Sequence, residues 1–438
     1  MKFVDRIEEL KTLKDRLNSN EFELIIIYGR RRIGKTRLIL EAVKDTEYIY
    51  YLAVEGDNLR HFKRFASRTV PEIAYVQEDF ESYFNFLKNK IVIIDEFPHL
   101  IKEDSKVVSI FQRIVDLILR DTKTKLVLLG SSISMMSDRV LSYSSPLYGR
   151  RTSSIKLKPL KLFHLKELFP DLSWEELVEI YGFTDGIPYY LEKVKPPFWK
   201  WLEKELKSPD TFLKDEVDFL MKYEFSEAST YKKILEAIAS GKTTPKEIRD
   251  HIKAKHSDIT PYLKNLIETE FVTRETPVNE SPNSRKGRYY VADNFVTFWF
   301  RYIYPNLSAI EEGAFDITEI RQNYSQYLGL VFEKVAKQFL VELNRHGGLP
   351  FKFSRIGRWW HKSEEIDLVA LNEREKRALF VEVKWRKLNG NEVERLLKNL
   401  ERKAELIKLN GYEKHYGIIA REVEVKKHLV WDLRDFAF

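Results

Sequence analysis

The sequence predicts an α/β protein. A parallel sheet with helices on both faces comes first, then a helical lid, a three-helix module with a two-stranded wing, and a small second α/β domain. Three observations carry this. Apolar runs at 24–28, 91–94 and 126–129 are the length of buried strands and alternate with helical patterns such as 107–119. A glycine-bounded loop, Gly29-Arg30-Arg31-Arg32-Ile33-Gly34-Lys35-Thr36, joins the first run to a helix. From Tyr231 onward, capped helices and short extended segments replace the alternation.

Taken in order, residues 7–17 read as an amphipathic helix ahead of the first strand. Residues 29–36 form a complete G-x-x-x-x-G-K-T phosphate loop in its strand–loop–helix setting. Its glycines let the backbone wrap so that N–H groups face phosphate oxygens. Lys35 reaches the β- and γ-phosphates, Thr36 offers its hydroxyl to Mg²⁺, and the helix N-terminus favours anions. Residues 48–53 read as a second strand. The run at 91–94 ends in Asp95-Glu96, which sets one carboxylate beside the Mg²⁺ and another to orient the attacking water. The run at 126–129 ends in Gly130-Ser131-Ser132, and Ser131 or Ser132 is placed to sense the γ-phosphate. Residues 160–225 are mostly helical with Pro and Gly breaks, as a lid would be.

On these residues the chain resembles the archaeal ATPase family of the AAA+/STAND P-loop NTPases over roughly 1–225. The matching segments are Phe3-Val4-Asp5-Arg6, the phosphate loop, Asp95-Glu96, Leu147-Tyr148-Gly149-Arg150 and Gly186-Ile187-Pro188-Tyr189. The resemblance implies ATP or ADP held along the loop, from Gly29 through Arg30, Arg31, Arg32, Ile33, Gly34, Lys35 and Thr36 to Arg37. It implies a base pocket around Val4 and Arg6, and Gly186 and Pro188 closing over the nucleotide. It makes Arg150, or its neighbour Arg151, the arginine acting on the γ-phosphate, in its own subunit or across an interface. Of Arg30–Arg32, two are expected to face solvent or sensor loops.

In 226–292, a helix at 231–239 is closed by Gly241, and Thr244-Pro245 and Thr260-Pro261 start two more. Extended segments at 271–275 and 288–291 follow, joined by a polar loop. This is the order of a winged helix-turn-helix. Ser257, Lys264 and Asn265 on or beside its third helix are candidates for DNA contact, against the alternative that the module only packs domains. The aromatic segment in 293–325 reads as a packed junction.

The last unit, 326–438, opens with a helix at 327–343, then extended segments at 365–371 and 378–384, a charged helix at 392–409 and a strand near 416–420. Glu382 and Lys384 are two apart on one strand and share a face. Asp367 lies on the neighbouring strand and Glu333 on the opening helix. The set resembles the PD-(D/E)xK nuclease core, and in particular the DUF234 domain that follows archaeal ATPases. That resemblance implies a restriction-endonuclease-like fold in which Asp367, Glu382 and Glu333 hold Mg²⁺ or Mn²⁺ and Lys384 orients water or stabilises the transition state. The position before Asp367, often Pro in such nucleases, is Ile366.

Composition bounds the partners. The 438-residue chain has 74 Lys+Arg against 67 Asp+Glu, and the excess is uneven: residues 326–438 hold 23 against 17. A basic rear half suits DNA. The chain has no cysteine, which excludes disulfides and thiolate chemistry. No apolar run is long enough to cross a membrane, so a cytoplasmic protein is expected, with homo-oligomerisation open. Few Met and abundant Lys and Glu suit a heat-adapted organism. The expectation is an ATP-binding, ATP-hydrolysing protein that regulates a Mg²⁺-dependent DNA endonuclease-like domain through a winged helix. The alternative is a non-cleaving, STAND-type switch that binds DNA or protein.

Overall fold

In a computed structural model, which describes residues 3–254 and 258–437, the front sheet is five-stranded and wholly parallel. Its strands are β1 (Glu23–Tyr28), β2 (Tyr48–Leu52), β3 (Ile91–Asp95), β4 (Lys125–Gly130) and β5 (Ser153–Lys156), in the order β2-β3-β4-β1-β5. Leu24 and Ile26 pack into one helical layer and Ile25 and Ile27 into the other. A strand covered on both faces needs apolar residues on both, and Leu24 to Ile27 supply them. Helix α1 (Ile7–Leu17) precedes β1, and α2 (Lys35–Val43) leaves the phosphate loop. Because all strands run one way, the ends of β1, β4 and β3 share one edge, where the loop, Ser131 and Asp95 meet.

Helix α3 (Phe97–Glu103) follows β3, and the lid includes α4 (Trp174–Thr184), α5 (Pro188–Lys193) and α6 (Glu216–Glu224). The module behind it is α7 (Ala228–Ala239), α8 (Pro245–His251), α9 (Thr260–Glu268), β6 (Val272–Glu275) and β7 (Arg288–Val291), with β6 and β7 antiparallel. Each of α8 and α9 carries proline in its first turn, as the sequence indicates.

Helix α10 (Asn294–Phe298) opens the junction, and α11 runs unbroken from Thr318 to His346. A boundary at 325/326 therefore falls inside a continuous helix. The cause is that α11 stays apolar on one side across the join: Ile320, Tyr324, Tyr327 and Val331 are all buried. The rear sheet has the order β12-β11-β10-β9-β8, with β8 (Arg355–His361), β9 (Glu364–Asn372), β10 (Arg377–Leu388), β11 (Glu413–Val423) and β12 (Val430–Trp431). β8–β10 form antiparallel hairpins, whereas β10–β12 are parallel. α11 packs on β10, and so does α12 (Gly390–Ala404), which also covers β11. β5, β8 and β12 are strands the sequence reading lacks. β5 is four residues with one buried apolar side chain, and β8 has a register shift between Gly357 and Trp359.

Candidate functional site

The phosphate loop is held by backbone geometry that glycine alone permits. Gly29 has φ +147°, and a Cβ there would stand 2.5 Å from the Leu157 carbonyl oxygen. Lys35 is buried, and its Nζ donates to the carbonyls of Gly29 and Arg30, both at 3.0 Å. Burial pulls its ammonium down to about 8, against the opposing pull of Glu96 and Asp95. Thr36 Oγ1 donates to Asp95 Oδ2 at 2.5 Å, and the Tyr50 hydroxyl donates to the same oxygen at 2.8 Å. A hydroxyl and a carboxylate oxygen side by side are the hard donors Mg²⁺ takes, so this pair fits that ion. Glu96 has a left-handed backbone, φ +53°, which turns its side chain toward β4. There Oε1 accepts from Ser131 Oγ at 2.5 Å and Oε2 from Ser131 N at 3.2 Å. Pro188 Cγ lies 3.8 Å from where a Gly34 Cβ would be, and Tyr189 N reaches the Arg32 carbonyl at 3.4 Å, so α5 closes on the loop. Ile33 is buried in the layer that also holds Leu38. Val4 is buried beside Leu160 and Ile187, and Arg6 donates to the Lys158 carbonyl at 2.5 Å, on the loop's side of the sheet.

The arginines differ from expectation. None of Arg30, Arg31 and Arg32 turns its guanidinium to the phosphate-binding backbone. Arg30 pairs with the fully buried Asp293 at 2.5 Å and lies 4.6 Å over the Phe271 ring. Arg31 lies over Tyr223 (4.1 Å) and Phe219 (4.9 Å). Arg32 pairs with Glu216 and stacks on Tyr189. Aromatic faces from Tyr189, Phe219, Tyr223 and Phe271, with the buried carboxylates of Glu216 and Asp293, outcompete solvent for these planar cations. Arg37 pairs with Glu192 on α5 at 2.9 Å. Arg150 forks onto Asp116, both bonds 2.7 Å, before the start of β5. It thus sits at the opposite end of the parallel sheet from the phosphate loop and does not reach the γ-phosphate position of its own chain. Arg151 donates to the Leu141 carbonyl.

Two residues that sequence reasoning missed complete this site. The Tyr223 hydroxyl donates to Glu96 Oε2 at 3.2 Å, and Glu224 Oε2 accepts from Ser132 Oγ at 3.4 Å. Burial pushes the Glu224 carboxyl up to about 7, against Arg30 and Lys102 and with help from Glu96. Lys35 also feels it. A carboxyl raised this way holds its proton to higher pH in the folded state than in the unfolded chain. Its contribution is complete below the unfolded value and is lost as pH rises through 7. Glu224→Gln is expected to flatten the fall of Tm between pH 5 and pH 8, with its largest gain over wild type at pH 8. Parallel Tm–pH curves would contradict this.

The rear site brings three of the four predicted residues, Asp367, Glu382 and Lys384, into contact. β9 and β10 pair only as far as Val381↔Leu368. Beyond that point the strands part, and the Val383 N–H donates to Asp367 Oδ2 at 2.7 Å. Lys384 Nζ lies 2.8 Å from Glu382 Oε1 and 3.5 Å from Asp367 Oδ2. Burial, then the neighbouring Glu382, raises Asp367, and the two carboxylates hold the Lys384 ammonium up against its own burial. Lys403 on α12, which the sequence does not flag, reaches Glu382 Oε2 at 3.4 Å. Glu333 faces the group from α11, with its carboxyl pushed to about 7 by burial and by Asp367. Its closest partner is the Arg358 guanidinium. Asp367 and Glu382 thus present hard oxygens on either side of Lys384 and fit a divalent ion. Among the described residues, however, no three acidic or histidine side chains form a ready metal cage.

The wing lies against this sheet. Arg288 pairs with Glu365 at 3.2 Å and stacks 4.7 Å over Trp360, Arg358 approaches Glu275 at 3.7 Å, and Val278 N donates to the Arg358 carbonyl. On α9, Lys264 is exposed and near Glu268, but the Asn265 side chain turns inward to the Tyr231 hydroxyl at 2.7 Å. Asn265 is therefore removed from the candidates for DNA contact. Ser257 lies outside the described residues. Trp359 and Trp360 are packed, and His361 is exposed.

Comparisons with known proteins agree with this architecture. Residues 3–194 match a family model described as an ATPase domain predominantly from Archaea, and 299–396 match DUF234, described as archaeal and bacterial proteins of unknown function. The chain is 64% identical over 438 residues to the uncharacterized protein MJECL04 of Methanocaldococcus jannaschii, covering 99% of this chain and 100% of that one. An uncharacterized ATP-binding protein of the same organism is 60% identical over 37 residues, 8% of this chain and 63% of its own length. Among solved structures, a Walker-type ATPase of Pyrococcus abyssi superposes with TM-score 0.53 at 21% identity, over 68% of this chain and 96% of that one, a likeness of fold. No helix among the described residues is long and apolar enough to cross a membrane.

Proposed function

The chain belongs to the archaeal P-loop ATPase family, here joined to a DUF234 module, and from that premise we propose that it is an ATP-operated switch acting on DNA through its rear site. Nucleotide bound along 29–36 is held by Lys35, with Thr36 and Asp95 placed for Mg²⁺, which would neutralise phosphate charge. Glu96 orients the attacking water. The rear site supports cleavage: Asp367 and Glu382 would hold Mg²⁺ or Mn²⁺, which neutralises charge on a scissile phosphate. Lys384 stands where it would orient water or stabilise the departing charge.

The observation that carries the reading is the convergence of Asp367, Glu382 and Lys384 at the point where β9 and β10 part, with the wing seated on the same sheet. The phosphate loop is tied to that assembly by Arg30–Asp293 and, through Asp185 and Lys334, to α11, the helix that bears Glu333. A change in the loop therefore meets the elements that frame the rear site. A second reading, a switch that binds without cleaving, is favoured by one fact: Arg358 holds Glu333 away from the other carboxylates.

The test is incubation with linear, single-stranded and branched DNA, with Mg²⁺ or Mn²⁺, with and without ATP. Cleavage by the wild type is expected, falling at least about a hundredfold in Lys384→Ala. ATP is expected to change the rate in the wild type but not in Lys35→Ala. Absence of cleavage on every substrate, with ATP hydrolysis intact, would leave the non-cleaving switch.

A further inference from the structure

Three consecutive residues at the end of α6 face three different partners. The Tyr223 hydroxyl bonds Glu96, and Glu224 accepts from Ser132 beside it. Phe225 leaves the ATPase altogether. Its ring stacks 3.9 Å from Tyr231 on α7 and lies 5.7 Å from Phe271 at the start of the wing. From the other side, Arg31 of the phosphate loop lies 4.1 Å over the Tyr223 ring, and Lys102 of α3 lies 5.3 Å from it.

Glu96 receives three hydrogen bonds, from Ser131 N, Ser131 Oγ and the Tyr223 hydroxyl. The two from Ser131 come from the end of the adjoining strand of the same sheet. The third comes from the segment whose next-but-one residue, Phe225, packs on Tyr231 and Phe271 of the module behind. Burial and the Glu96 charge raise the Tyr223 phenol above its ordinary value, so it stays protonated and always donates.

We propose that Tyr223 is a positioning residue that restrains Glu96. While Phe225 is seated in the winged helix, the Tyr223 hydroxyl keeps the Glu96 carboxylate turned toward Ser131 and away from the attacking water. Displacement of the winged helix withdraws Tyr223 and frees Glu96 to swing to that water. The short stretch from Tyr223 to Phe225 then transmits the state of the rear half of the protein directly to the hydrolytic residue. This rests on the reading that Glu96 serves ATP hydrolysis.

The test uses the full chain. Tyr223→Phe keeps the ring over which Arg31 and Lys102 lie and deletes only the hydroxyl. It is expected to raise kcat for ATP hydrolysis by about three- to tenfold, the worth of one hydrogen bond, at unchanged KM. The double variant Tyr223→Phe/Glu96→Gln is expected to lose the gain entirely. Phe225→Leu, which loosens the seat on Tyr231 while keeping the site intact, is expected to raise kcat in the same direction. An unchanged or lowered kcat in Tyr223→Phe overturns the proposal, as does a gain that survives Glu96→Gln. Failure of the underlying reading looks different: the wild type itself would not hydrolyse ATP, or Glu96→Gln alone would leave its rate intact.

Discussion

Lys35→Ala is expected to lower ATP turnover by at least about a hundredfold without unfolding the protein. The Lys35 ammonium is enclosed, and among the described residues its hydrogen bonds go to two carbonyls of its own loop, so it sits as a ready cation at the phosphate position. Moving onto phosphate exchanges those two neutral carbonyls for oxygens that carry full charge, which adds the attraction of opposite charges to each bond. Alanine removes that gain from bound ATP and more of it from the transition state, where charge on the transferred group is greatest. The fold has less to lose. Burial already pulls the ammonium down to about 8, so at neutral pH the folded state is charged against the preference of its surroundings. The sign follows from linkage: with the folded value below the unfolded 10.5, stability rises with pH between about 8 and 10.5, and alanine removes that slope. Phosphate release at saturating ATP, with Tm at pH 7 and pH 10, checks both halves. Turnover within tenfold of wild type would remove Lys35 from the hydrolytic step.

Much of this site could be read from the chain because its motif is contiguous. Gly29 to Thr36 is one loop, and Asp95-Glu96 follows four apolar residues, Ile91 to Ile94. The i, i+2 spacing of Glu382 and Lys384 fixes a shared face, and the short connection between β9 and β10 brings Asp367 alongside. What stayed hidden depends on distance along the chain. Arg30–Arg32 read as loop residues, two of them facing solvent or sensor loops, yet their partners Asp293, Tyr223, Glu216 and Tyr189 are recruited from residues 189–293. Arg150 fits a local pattern, but strand direction puts it at the opposite end of the sheet from its own chain's phosphate loop, and direction is a property of β5, which has one buried apolar side chain to betray it. Lys403 and Arg358 are ordinary basic residues until α12 and β8 are docked.

Asp293→Ala is expected to be the most destabilising single change considered, and the reason lies in what the carboxylate does twice. Its Oδ1 accepts from the N–H groups of Phe295 at 2.6 Å and Val296 at 3.2 Å, capping α10. Its Oδ2 meets Arg30 at 2.5 Å with both side chains out of solvent, and it raises the guanidinium against burial, which alone would lower it. Loss of the cap costs about 1 kcal/mol. Stranding a buried guanidinium costs about 3–5 kcal/mol more, because Arg30 keeps its desolvation and loses its partner. Together these correspond to a fall in midpoint of roughly 10 °C for the cooperative unit that contains the junction. Asp293→Asn keeps an oxygen for the cap and loses only the charge, so it should fall less. Adding Arg30→Met to Asp293→Asn removes the stranded cation and should recover most of the loss, since a buried pair replaced by apolar packing is often neutral. Scanning calorimetry of the three variants separates the terms. Were Asp293→Ala to melt within about 2 °C of wild type, Arg30 would have found water or another partner. The pair would then not be what ties the phosphate loop to α10.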